Sequence, residues 1–183
     1  MNGPMQFRRA TLADVPAIVS LVESAYRGDA SRVGWTTEAD LLDGQRTDAE
    51  AVSTLIERPD SRILLAEAPE GLLGSVLLTD EGDSTYIGMF AVRPGGQGRG
   101  VGSALLAEVE RVTHQELGRS FARMTVLAQR SELIAWYERR GFRQSGATEP
   151  FPYGDPRFGL PRRPDLYFRI LVKELERRAM SDR

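Results

Sequence analysis

The stretch VRPGGQGRGVGSALL, residues 92–106, places five glycines in its first eleven positions and then turns apolar without a break. Glycine reaches backbone conformations closed to other residues, so the run reads as a tight turn leading from a strand into a helix. Such a turn bares backbone N–H groups, and the helix N-terminus adds the positive end of its dipole, which makes a phosphate the natural ligand. The nucleotide loop G-x-x-x-x-G-K-[ST] matches at Gly95 and Gly100 but needs a lysine where Val101 stands. The dinucleotide fingerprint G-x-G-x-x-G starts at Gly98 and Gly100 and fails at Ser103. A glycine-rich loop that merely turns the chain is the alternative to a third kind of phosphate site.

The surrounding pattern sets the context. Residues 5–10 read as a first strand, and TLAD (11–14) has capping-box spacing ahead of VPAIVSLVESAYRG, where Val15, Ile18, Val19, Val22, Ala25 and Tyr26 repeat at helical spacing up to Gly28. A polar segment follows over 29–47, and then a helix, DAEAVSTLIERPD, ends before Pro59. RILLAEA, LLGSVLLT and STYIGMFAVRP are joined by the short turns PEG and DEGD and read as an antiparallel meander. After the glycine stretch comes a long helix, then the strand FARMTVLA, the helix SELIAWYERRGF, and a strand near 142–147. Residues 149–164 hold five of the ten prolines and read as a fixed loop, neither strand nor helix, before a last strand, DLYFRILVKEL. The expected order is β-α-α-β-β-β-α-β-α-β-β, a mixed α/β (α+β) sheet within a single domain over 1–183.

Composition narrows the chemistry. The 183 residues include no cysteine and one histidine, so thiolate sites, cysteine nucleophiles and histidine-rich metal sites are excluded, and no metal is expected. Twenty-four Lys and Arg against 26 Asp and Glu give a formal charge of -2 without a long basic run, so nucleic acid is not an expected partner. No segment nears the roughly 20 apolar residues of a membrane span, and the first fifteen residues lack a signal-peptide core, so a cytoplasmic protein without membrane contact is expected.

Gln97-x-x-Gly100-x-Gly102, after a strand ending FAV, resembles the acyl-CoA signature Q/R-x-x-G-x-G/A of the GNAT superfamily of N-acyltransferases. RRATLADVPAIVSLV is similar to the family's opening strand and helix, and ELIAWYERRGF to its closing helix and turn. The resemblance implies a sheet splayed between the fourth and fifth strands, residues 84–92 and 121–128, with acetyl-CoA as co-substrate in the split. It places the CoA pyrophosphate on the backbone amides from Gly98 through Arg99, Gly100, Val101 and Gly102 to Ser103. The strand-edge groups of Phe90, Ala91 and Val92 then face the pantetheine arm and the acyl carbonyl. Arg93 and Arg99 are candidate phosphate contacts.

Tyr137 stands where the family carries a helix tyrosine that protonates the departing sulfur, although its place on a face with Leu133 and Ile134 also suits a core residue. Seven positions earlier many members carry a CoA-contacting asparagine; here the residue is Arg130, a candidate cofactor contact that could reach a phosphate or the substrate instead. The general base is open. His114 lies roughly 20 Å along the helix from the phosphate site, and the strand STYIGMFAV has no acid, since Tyr86 stands where relatives often place one. Glu38, Asp40 and Glu81 are substitutes, Glu38 first, and deprotonation through water fits equally.

Acceptor selectivity is expected from the segment after the first helix, with Trp35, Glu38, Asp40 and Arg46, and from the proline-rich loop, with Phe151, Tyr153, Arg157 and Phe158. Together they suggest a walled pocket for a small amine, with Arg46 or Arg157 able to pair with a carboxylate. The resulting expectation is an N-acetyltransferase that moves an acetyl group from acetyl-CoA to a small-molecule primary amine by direct attack. A non-catalytic acyl-CoA-binding or regulatory domain and an acetyltransferase of protein amines are the alternatives. Members of this family are often homodimers, but the sequence carries no interface signature.

Overall fold

The computed structural model describes residues 4–34, 37–95 and 99–175. β1 (Gln6–Arg9) runs into a single 3-10 turn and helix α1 (Val15–Tyr26), followed by a one-turn helix α2 (Gly28–Ser31). Next come β2 (Leu42–Asp43), α3 (Ala49–Glu57), and the meander β3 (Ser61–Ala68), β4 (Gly71–Asp80) and β5 (Ser84–Val92). Helix α4 (Val101–Arg111) ends in a π-turn, and β6 (Phe121–Leu127), α5 (Ser131–Glu138) and β7 (Arg143–Pro150) lead to β8 (Leu160–Pro161) and β9 (Tyr167–Glu174).

The capping box forms as expected. The Thr11 N–H donates to Asp14 Oδ2 at 2.8 Å, and Arg8 grips both Asp14 oxygens at 2.8 Å, which ties β1 to the start of α1. The apolar stripe of α1 then buries Val15, Ile18, Leu21, Val22 and Ala25 against one face of the sheet, alongside Val52 of α3. The other face packs against Leu105, Leu106 and Val109 of α4 and Leu133, Ile134 and Tyr137 of α5.

Among the described residues, seven strands share one sheet in the order β1-β3-β4-β5-β6-β9-β7, antiparallel throughout except for β5 and β6. That parallel pair is short, running from Ser84 opposite Phe121 to Ile87 opposite Met124. Beyond it β6 keeps its pairing with β9 as far as Leu127 opposite Phe168, while β5 stays on β4. The two strands therefore part at Gly88 and Thr125, and the sheet opens between its fourth and fifth strands as the resemblance implies.

The cause of the parting is local. Leu77 faces Gly88 and Ser75 faces Ala91, so β5 has an extra residue opposite β4, and Met89 takes φ +44°. This is a β-bulge, which bends its strand and raises the twist. A positive φ costs a side-chain-bearing residue of order 1–3 kcal/mol and persists only where the surroundings enforce it. Met89 is buried against the α1 side of the sheet, which supplies the enforcement.

Two short strands depart from the sequence reading. β2 lies in the polar segment and β8 in the proline-rich stretch expected to be neither strand nor helix, and they pair Leu42 with Pro161 and Asp43 with Leu160. A 3-10 turn, Pro156–Phe158, also forms there. The pairing is a contact between distant segments that local pattern does not encode, and proline fits because a two-residue edge strand needs few N–H donors.

Candidate active site

Helix α4 begins at Gly100, whose φ of +81° is the left-handed conformation that favours glycine, and the Ala104 N–H returns to the Gly100 carbonyl at 2.9 Å. Residues 101–103 therefore form the first turn, where amide groups lack intrahelical acceptors. Gly102 lies against the Trp136 ring, 3.5 Å from where a Cβ would sit. The Ser103 hydroxyl accepts from Arg140 Nη2 at 2.7 Å, and the Arg140 guanidinium stacks on Trp136 at 3.6 Å from the ring centroid. The amides of this turn suit an anion, and Arg140 adds charge beside them. Arg99 is exposed and 3.8 Å from Glu70, and Arg93 is also exposed. Gln97 and Gly98 lie outside the described residues, as does Gly96.

At the bulge, Met89 and Phe90 have no register partner on β4, and β6 has already turned away. Phe90, Ala91 and Val92 are buried along the edge of the split. The Phe90 carbonyl accepts a hydrogen bond from the Tyr26 hydroxyl at the end of α1, which fixes the peptide that the bulge turns into the opening.

A cavity of about 350 Å³ occupies the split. One wall is Ile87–Phe90 of β5, a second is Met124–Leu127 of β6, and α5 contributes Arg130, Leu133 and Tyr137. Tyr137 is 4% exposed, and its ring meets Phe90, Trp136 and Phe142 edge-on at centroid distances of 6.1, 5.0 and 5.7 Å. Its hydroxyl makes no hydrogen bond to a described residue, and burial pushes its pKa above the ordinary tyrosine value. A buried phenol of this kind stays protonated and can donate to whatever enters the cavity.

The remaining wall is ionic. Glu38 is buried, and its backbone N–H donates to the Tyr26 carbonyl at 2.9 Å, so the C-terminus of α1 fixes it. One Glu38 oxygen accepts from Arg27 and the other from Arg130 at 3.0 Å. Burial alone would raise the Glu38 pKa, but the charges of Arg130, Arg27 and Arg46 more than reverse it, and the net shift is downward. A carboxylate held ionised with both oxygens engaged is a poor proton acceptor, which weighs against the expected role of Glu38 as base. Arg130 and Arg46 sit 5.5 and 5.4 Å from the centroid of the Tyr26 ring.

Phe151 is buried in the cavity wall, and Phe158, also lining it, is half exposed at the rim. Tyr153, expected at the acceptor site, is not part of the lining. Its hydroxyl donates to the Arg163 carbonyl at 2.7 Å and accepts from the Leu166 N–H at 2.9 Å, so it braces the proline-rich loop. Arg157 turns to Asp155, Asp40 to Arg32, and Glu81 to Arg123, all outside the lining. Trp35 lies outside the described residues. His114 is on the π-turn at the far end of α4. Sequence reasoning missed Tyr26 and Arg27, which share the end of α1 and point into the split. Tyr26 carried the signal, a polar-tipped ring at the last position of an apolar stripe.

Residues 59–144 match the acetyltransferase (GNAT) domain family. Among solved structures, the ribosomal-protein-S18-alanine N-acetyltransferase from Escherichia coli superposes with a TM-score of 0.70 at 14% identity, covering 98% of this chain and 99% of that one. The spermidine/spermine N-acetyltransferase from Vibrio cholerae, in complex with manganese ions, gives 0.65 at 16% identity, covering 93% and 92%. No curated protein matches the chain by sequence.

Proposed function

We propose that residues 1–183 act as one N-acetyltransferase that transfers an acetyl group from acetyl-CoA to the primary amine of a small molecule, a reading supported by the match of residues 59–144 to the acetyltransferase (GNAT) domain family and by a fold shared along the chain with solved N-acetyltransferases. The observation that carries this reading is the Tyr137 hydroxyl, buried in the wall of the split and free of hydrogen bonds to described residues. The first-turn amides of α4, with Arg140 beside them, bind the pyrophosphate. The edge of β5 from Phe90 to Val92 holds the pantetheine arm, and a backbone N–H at the bulge receives the thioester oxygen as charge builds on it.

The amine reaches the thioester carbon from the side of Glu38 and Arg46 and attacks it directly. The new N–C bond forms, the C–S bond breaks, and the Tyr137 hydroxyl protonates the departing sulfur. One ammonium proton leaves to water at the open rim before the attack, and the second nitrogen proton, lost as the amide forms, returns through water to the Tyr137 oxygen. Glu38 positions Arg27 and Arg130, which keeps the acceptor wall in shape.

The reading favours a small acceptor over a protein because the proline-rich loop brings Phe151, Pro152 and Phe158 onto the cavity and roofs it. Both kinds of acceptor occur among the similar structures, a ribosomal-protein alanine in one and spermidine or spermine in the other. A CoA-thiol release screen over small amines and protein substrates tests the assignment. Release with small amines supports it, and release confined to protein N-termini or lysines contradicts it.

A further inference from the structure

Resting on that reading, we propose that the acceptor is an amine that also carries a carboxylate, and that Arg46 is the residue that recognises it. Among the described residues, three guanidinium groups reach the cavity, from Arg27, Arg46 and Arg130. Two are matched internally, because Arg27 and Arg130 share Glu38. Arg46 makes no ion pair and no side-chain hydrogen bond to a described residue, and its guanidinium lies over the face of Tyr26.

Arg46 is also held in place. Its own backbone N–H and that of Thr47 donate to Glu23 Oε1 at 2.6 and 2.7 Å, so α1 pins the loop while leaving the guanidinium unspent. The other acid on the lining, Glu149, is on the exposed side with Arg123 3.4 Å away. Among the described residues, the inner wall thus carries three positive charges against one negative charge. A second cationic group on the acceptor would meet like charge there, whereas a carboxylate would gain a planar donor able to bind it in two places. Of the two arginines the sequence offered for this role, Arg157 is already taken by Asp155, and Arg46 is the one in the cavity.

The test compares the proteinogenic L-amino acids with their matching amides, and with putrescine and spermidine, as acceptors at saturating acetyl-CoA. The wild type is expected to favour the best acid over its amide by roughly 10- to 100-fold in kcat/KM, as suits a charge-assisted pair in a shielded site. Arg46→Gln collapses that ratio to near one, and Arg46→Lys keeps part of it. A merely structural role for Arg46 would lower both rates and leave their ratio unchanged. Equal use of acid and amide by the wild type, a preference for the polyamines, or an unchanged ratio in Arg46→Gln overturns the inference while leaving acetyl transfer standing. Calorimetric titration of the same acids and amides into the CoA-bound protein gives a second readout that needs no turnover. Binding of acids that Arg46→Gln abolishes supports the inference even if acetyl transfer fails, and no preference for acids overturns it.

Discussion

Replacing Glu38 by glutamine keeps the shape of the side chain and removes its charge. Arg27 and Arg130, whose side chains are 5% and 8% exposed, then lose the carboxylate they share. Breaking a buried ion pair by removing one partner costs about 3–5 kcal/mol, and because a single carboxylate serves both arginines we take that range once. At about 2–4 °C per kcal/mol for a chain of this size, the melting temperature should fall by about 6–20 °C at neutral pH. The difference depends on pH with a definite sign. The folded-state pKa of Glu38 lies below its ordinary value of 4.5, so its stabilisation is complete above about pH 4.5 and is lost as the pH falls from there toward the folded pKa. Wild type and Glu38→Gln should therefore converge in acid. Urea unfolding from pH 7 to pH 3 measures this. The triple change Arg27→Met, Glu38→Leu, Arg130→Met should regain most of the stability, since well-packed apolar residues commonly replace a buried ion cluster without loss. A cost for Glu38→Gln below about 1 kcal/mol, or one that persists undiminished below pH 4, would refute the shared-carboxylate account.

Three further outcomes follow from the same geometry. Tyr137→Phe should lower kcat by about 10²-fold or more, within the range of a positioned general acid, with the acetyl-CoA dissociation constant unchanged by calorimetry; an unchanged kcat removes it as the acid. Gly100→Val should weaken acetyl-CoA binding at least tenfold while costing the fold only about 1–2 kcal/mol, because φ is +81° there and no described residue comes within 4 Å of an added Cβ; normal affinity would contradict the loop assignment. Tyr26→Phe strands the buried Phe90 carbonyl and should cost about 1–3 kcal/mol in thermal or chemical unfolding, with a fall in kcat larger than the change in CoA affinity if the bulge presents the amide to the thioester.

The elements with strong local periodicity were legible in the sequence. The α1 stripe from Val15 to Ala25, the meander of β3 to β5, and the start of α4 after Gly100 all appear where the pattern put them. Their order together with the GNAT resemblance also located the split, although the bulge itself depended on how β4 and β5 pair, and nothing at Met89 announces a positive φ. The cavity wall was only half legible. Arg46 and Phe151 reached the cavity, but Tyr153 turned to the backbone of its own loop, and Glu38 turned to two arginines 11 and 92 positions away. Pairings between such distant charged groups have no local signature. The β2–β8 bridge shows the same limit, since two residues from a polar segment and two from a proline-rich one meet only once the sheet has formed.

The central claim is acetyl transfer to a small amine in the split between β5 and β6. The most direct measurement is release of CoA thiol from acetyl-CoA in the presence of a panel of small amines, with acetyl-CoA binding measured in parallel. The account predicts amine-dependent thiol release that Tyr137→Phe suppresses without weakening acetyl-CoA binding. Tight acetyl-CoA binding with no release for any small amine, or release only with protein amines, would contradict it.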